Sequence, residues 1–148
     1  IKRRFKIILR RIMINFNSET KFELENEEEI SKWISNVIKS EKFKEGDINY
    51  VFCDDDYLLK LNIKFLNHNT LTDIISFDDS IGKILQGDIF ISVERVKENA
   101  ENFNVSFQEE LNRVMVHGIL HYCGYNDKTK TDSKTIRRKE NFYINQLG

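Results

Sequence analysis

The sequence predicts an α+β domain in which one small mixed sheet of about four strands is packed with about five helices. Three observations lead there. Short stretches alternate apolar and polar residues with period two, as half-buried strands do. Longer stretches carry apolar residues at i, i+3, i+4 and i+7. The two kinds mix without a regular βαβ repeat, which argues against a doubly wound sheet. The 148 residues are 40 % apolar, enough for one core and the size of one domain. No run approaches the roughly 18 apolar residues of a membrane-spanning helix.

The elements follow in order. Ile12, Ile14 and Phe16 alternate as a first strand. Residues 25–41 form a helix whose Ile30, Trp33, Ile34, Val37 and Ile38 share a face, with Asn26 as cap and Glu29 completing a capping box. Gly46 breaks the pattern, and Ile48, Tyr50 and Phe52 alternate as a second strand. Asp54, Asp55 and Asp56 are better suited to opening a helix, with Leu58, Leu61 and Phe65 on one face, than to binding a cation. Residues 66–72 form a loop. Residues 74–77 and 88–92 pair as hairpin-like strands. Ser92 opens a helix with Val93, Val96, Ala100 and Phe103 on one face, and Ser106 with Glu109 forms a capping box before the next. A polar, weakly periodic helix spans about 131–146.

Charge is unevenly spread. Residues 1–12 hold six basic side chains (Lys2, Arg3, Arg4, Lys6, Arg10, Arg11) and no acid, while the remainder carries a net −7. Residues 1–12 are expected to be an extension ahead of a single domain at 13–148, a basic targeting or RNA-binding arm being the other reading. Two cysteines, Cys53 and Cys123, without a CxxC pair, exclude a disulfide-stapled scaffold and point to a reducing, cytoplasmic setting with no disulfide partner and no membrane.

The helix after Ser106 carries the chemistry. In its first half Phe107 and Leu111 face one way, and Gln108, Glu109, Asn112 and Arg113 the other. From Val114 to Cys123 it is apolar all round, so that half should be buried. His117 and His121 lie in this half at i and i+4, one turn apart on one face. Gly124 is placed to end the helix, after which Asp127 can return towards the pair. A catalytic zinc site needs three protein ligands and one open position, and His117, His121 and Asp127 supply that set. Two hydrogen-bonded core histidines would be the plainer alternative. Gly118 follows the first histidine where zinc peptidases have a glutamate base, which argues against peptide hydrolysis and suggests close packing of another element.

The segment His117-Gly118-Ile119-Leu120-His121-Tyr122-Cys123-Gly124-Tyr125-Asn126-Asp127 resembles the His-Gly-x-Leu-His-x-x-Gly-Tyr-Asp-His signature of the YbeY family, bacterial rRNA-maturation endoribonucleases. Upstream, Leu61-Asn62, Thr72-Asp73-Ile74-Ile75-Ser76-Phe77 and Gly87-Asp88-Ile89 resemble further family segments in the same order. The resemblance implies a zinc-dependent, single-strand-specific endoribonuclease acting in 16S rRNA 3′-end maturation and ribosome quality control, with rRNA and the small ribosomal subunit as partners. His117 and His121 match two of the family's three zinc-binding histidines, and Asp127 stands in place of the third. A two-histidine, one-carboxylate set also suits iron(II). The family's Arg-Gly-Lys loop is replaced by Leu66, Asn67 and His68, so His68 is a candidate for substrate contact, a solvated loop histidine being its plainer role.

Metal-bound water is the expected nucleophile, and no general base is identifiable. The acidic body disfavours broad RNA binding, so contacts fall to Lys128, Lys130, Lys134, Arg137, Arg138 and Lys139, just beyond the motif. A metal-dependent hydrolase of a small substrate and a non-catalytic ribosome-assembly factor with a structural metal are the competing readings.

Overall fold

The computed structural model describes residues 13–147, and the basic segment 1–12 lies outside the described residues. Among the described residues, four strands and five helices occur in the order β1 (Ile14–Ser18), α1 (Glu27–Ser40), β2 (Lys44–Cys53), α2 (Asp55–Leu66), β3 (Ile74–Asp78), β4 (Ile84–Ser92), α3 (Val93–Phe103), α4 (Phe107–Tyr122) and α5 (Lys130–Asn145). The sheet order is β1-β2-β4-β3. β1 and β4 run parallel to β2, and β3 is antiparallel to β4. The expected α+β sandwich with a mixed four-stranded sheet is therefore what forms. Within it, β1, α1 and β2 make one βαβ unit, with no regular repeat of it among the described residues. The long amphipathic α1 carries the chain back across the sheet, as parallel neighbours require.

The register puts one side chain in two on the main core. Ile14, Phe16 and Ser18 pair with Ile48, Tyr50 and Phe52, which in turn pair with Gly87, Ile89 and Ile91. Ile48, Tyr50, Phe52, Ile89 and Ile91 are buried beneath α1 and α4. Cys53, Leu58 and Ile75 form a smaller cluster with Tyr57, Phe77 and Phe90 on the α2 side. The fold thus has helices on both faces of the sheet, with α4 covering its centre.

Several local details differ from expectation. Asn26 precedes α1 but makes no side-chain cap bond, so the predicted capping box is absent; Glu27, Glu28 and Glu29 instead place negative charge at the helix's positive end. Gly46 does not terminate order: β2 begins at Lys44 and absorbs the irregularity as a register shift between Glu45 and Ile48. Asn112, expected to face away from Phe107 and Leu111 with other polar residues, is buried, and its Oδ1 accepts from Gln108 Nε2 at 2.7 Å. Phe65 and Phe103, expected on buried faces, are 55 % and 57 % exposed, since each lies at the end of its helix beyond the edge of the core. The other caps hold, although at Ser106 the reciprocal Glu109 bond of the expected capping box is not made. Asp54 Oδ1 accepts from Tyr57 N at 2.8 Å and Ser106 Oγ from Glu109 N at 3.0 Å.

Two contacts seat α4 on the sheet. Tyr50 Oη donates to the Met115 carbonyl at 2.8 Å, and Tyr122 Oη lies 3.0 Å from the Phe77 carbonyl and 3.2 Å from that of Asp88. Gly118 allows close approach, because a Cβ there would stand 3.1 Å from the Cδ1 atoms of both Ile74 and Ile89. This is the packing role its sequence position suggested.

Two glycines give a test of this seating. Gly87 has φ +148°, and a Cβ would lie 2.1 Å from the Phe77 carbonyl oxygen and 2.6 Å from the Tyr122 hydroxyl. Gly124, at φ +101°, has open space around it. Gly87→Ala is expected to lose about 3 kcal/mol or more, because strain and overlap add, whereas Gly124→Ala loses about 1–2 kcal/mol from strain alone. Urea denaturation of both variants measures this, and equal losses would refute the close approach at Gly87.

Candidate metal centre

α4 crosses the molecule under α3 and α5, and its side facing them forms the floor of a cleft. Glu110, Arg113, Val114 and His117 follow one another along that floor. Asn99 and Phe103 of α3 form one wall, Ser133, Ile136, Arg137 and Glu140 of α5 the other, and Asp73 closes the end nearest β3. The cleft holds about 380 Å³. Asp127 reaches it from the segment between α4 and α5.

The predicted histidine pair does come together. The rings lie 4.5 Å apart, and their Nε2 atoms face each other at 2.9 Å. On its far side His117 Nδ1 lies 2.6 Å from Oε2 of Glu140, which is 4 % exposed. A buried carboxylate here takes the Nδ1 proton as its hydrogen bond, so it selects the tautomer whose Nε2 lone pair points at His121. Burial first, and the neighbouring His117 ring second, hold His121 below the ordinary imidazole range. It is therefore kept neutral, the form that ligates metals.

This donor set fits a divalent cation. Two nitrogens bound tetrahedrally to zinc at 2.0–2.1 Å stand about 3.3 Å apart, close to the separation found here. A carboxylate on the remote nitrogen of a ligating histidine is the usual outer support of such sites. The third predicted residue stands differently. Asp127 is exposed and accepts a hydrogen bond from Ser133 Oγ, although its charge acts on His121. Among the described residues, no group of three or more His, Cys, Asp and Glu side chains is close enough together to hold one ion.

The remaining predicted residues scatter. His68 is exposed in the loop after α2 and does not line the cleft. Lys128, Lys130, Lys134 and Arg138 are exposed, whereas Arg137 lines the cleft. Lys139 is turned away to Glu41, at 3.1 Å.

Sequence reasoning missed Glu140, Arg113, Asp73 and Glu110 as members of the site. Arg113 Nη1 lies 3.2 Å from Glu140 Oε1, so one carboxylate holds both Arg113 and His117. Glu140 had a legible signal, because it shares a face with Ile136 and Tyr143 at i, i+4 and i+7, and all three are buried. Asp73 follows Thr72 in a segment noticed only for its resemblance. Burial raises its carboxyl pKa, against the opposing pull of His117 and two backbone N–H groups, and burial likewise raises Glu110 against Arg113. Carboxyls raised by burial in a cleft beside histidines are candidates for proton transfer.

Comparison with known proteins gives the family. A family model described as endoribonuclease YbeY matches residues 13–148. The chain is 62 % identical over 128 residues to the endoribonuclease YbeY of Flavobacterium johnsoniae, covering 86 % of this chain and 92 % of that one. It is 47 % identical over 132 residues to that of Karelsulcia muelleri, covering 89 % and 94 %. The solution structure of TM1509 from Thermotoga maritima has the same fold, with a TM-score of 0.64 at 28 % identity over 91 % of this chain and 89 % of that one. A buried helix that holds two facing imidazoles, one of them lining a charged cleft, and matches that run through nearly all the described residues, lead to one assignment: the chain belongs to the endoribonuclease YbeY family.

Proposed function

We propose that this protein is a metal-dependent endoribonuclease that hydrolyses single-stranded RNA in the cytoplasm, acting in 16S rRNA 3′-end maturation and ribosome quality control on the small subunit. The observation that carries the reading is the facing pair of Nε2 atoms of His117 and His121, supported by Glu140, with His117 on the floor of an open cleft. His117 and His121 would hold one zinc ion per chain with Asp127 as third ligand, iron(II) being compatible with the same set. When bound, the ion supplies a Lewis acid and lowers the pKa of water.

The chain's own groups have distinct tasks. Glu140 orients His117 through Nδ1 and anchors Arg113. Arg113 and Arg137 bring positive charge to the cleft, where a phosphodiester would lie. Hydrolysis needs one proton taken from the attacking water and one given to the departing ribose oxygen. Asp73, with its raised pKa and its place on the cleft wall, is suited to accept the first.

The ligand assignment is tested by elemental analysis and zinc titration. His117→Ala and His121→Ala should each abolish stoichiometric metal and RNA cleavage. Asp127→Ala should weaken zinc binding by about 10- to 100-fold or more, while Asp127→His retains it. Near wild-type affinity in Asp127→Ala would exclude Asp127 as a ligand.

Arg137 lines the cleft, whereas Lys134 on the same helix does not. Arg137→Gln should weaken RNA binding and lower the slope of log affinity against log salt by about 1, with Lys134→Gln nearly silent. Equal effects would place the RNA outside the cleft.

Asp73 gives a pH test. Its pKa is raised in the folded state, so the carboxyl favours folding while protonated, and that contribution is lost as pH rises through the folded pKa. With a chelator present, Asp73→Asn should melt higher than the wild type at pH 7. The difference should vanish near pH 4, around the ordinary aspartate value, while cleavage by the metal-loaded variant falls. A lower melting temperature at pH 7 would contradict the burial cost assigned to Asp73.

A further inference from the structure

Phe103 is out of place as a core residue. The apolar stripe Val93, Val96 and Ala100 runs down the buried face of α3, yet its last member is 57 % exposed. The cause is local. Helix α3 ends at Phe103, and Asn104 turns the chain with φ 57° towards the start of α4. The ring therefore projects past the core and into the wall of the cleft. Among the described residues, it is the one exposed large apolar side chain that lines this cleft. Phe65, the other exposed ring at a helix end, packs edge-on against Phe77 at 5.6 Å.

Its surroundings favour a particular ligand. Arg113 and Arg137 line the same cleft, and the Arg137 side chain is 55 % exposed, with only a loose 3.9 Å approach to Glu140. The three-residue connection from α3 to α4 keeps Phe103 at the Glu110 end of the floor. His117 lies seven residues further along α4, about 10 Å away at 1.5 Å per residue. A strand of nucleic acid with its backbone near the histidines and arginines would thus bring a neighbouring base to the aromatic ring. Flat aromatic surfaces beside cations are how proteins hold unpaired bases.

Resting on the reading of the cleft as the RNA site, we infer that Phe103 is a stacking platform for an unpaired nucleobase next to the scissile phosphate, with Arg137 as the accompanying phosphate contact. The platform selects single strands, because a base inside a duplex is already stacked on its neighbours and hidden from a protein ring.

The test uses the full chain and three proteins: wild type, Phe103→Ala and Phe103→Trp. Each is titrated by fluorescence anisotropy on ice, while gels show the RNA intact, with a single-stranded oligoribonucleotide and with an abasic oligonucleotide of equal length and charge. Phe103→Ala should lose about 5- to 150-fold in affinity for the RNA and nothing for the abasic strand. Phe103→Trp should bind RNA like the wild type. Its new emission, set against the single buried Trp33, should be quenched by the RNA and not by the abasic strand. Unchanged RNA affinity in Phe103→Ala, or equal losses for both strands, would overturn the platform while leaving the nuclease reading intact if the wild type binds and cuts RNA. A wild type that neither binds nor cuts single-stranded RNA would overturn both.

Discussion

Helix α4 is enclosed on nearly every side, and only the stripe Glu110, Arg113, Val114 and His117 reaches the cleft. That enclosure places charged and titratable groups where water cannot stabilise them, so they must stabilise one another. Glu140 of α5 meets this requirement for two of them at once, contacting Arg113 at 3.2 Å and His117 at 2.6 Å. Removing one partner of such a buried set leaves an uncompensated charge, which costs about 3–5 kcal/mol. The packing of α5 on α4 and the orientation of the site's first histidine are therefore one interaction seen from two sides.

A second hub fixes the segment beyond α4. Glu41, just past the end of α1, accepts hydrogen bonds from Tyr125 Oη at 2.7 Å, from Lys139 Nζ at 3.1 Å and from Tyr143 Oη. Burial acts to raise its pKa, but the hydrogen bonds from Tyr143, Tyr125 and Lys139 outweigh it and hold the carboxylate below its ordinary value. Trp33 Nε1 adds a 2.8 Å bond to the Tyr143 carbonyl, tying α1 to α5. The position of Asp127, two residues after Tyr125, thus depends on contacts with a helix some 85 residues earlier in the chain. Lys139 is absorbed by this hub, which is why it does not join the basic residues facing solvent.

The cleft also shows why a chain with an acidic body suits a nucleic-acid substrate. Asp73, Glu110, Asp127 and Glu140 line it against Arg113 and Arg137. Its negative balance suits a divalent cation beside the phosphodiester better than a broad basic surface would. Burial raises two of these carboxyls, Asp73 and Glu110, while Glu140 is held between Arg113 and His117.

The parts of this protein that depend on neighbours in the chain were readable from the amino acids alone. The periodicities of α1 and α4, the caps at Asp54, Ser92 and Ser106, and the His117–His121 pair are all set by residues within about four positions of each other. So was Gly118 as a point of close packing, since a helix-interior glycine is costly without such a reason. The tertiary structure alone decided what converges from afar. It brought Asp73, Arg113, His117 and Glu140 to one cleft, turned Lys139 to Glu41, and left Phe103 exposed although its spacing matched a buried stripe. The physical reason is that periodicity records which side of an element is apolar. Where that element ends, what lies across from it and which charges must share a low-dielectric space are properties of the packed molecule.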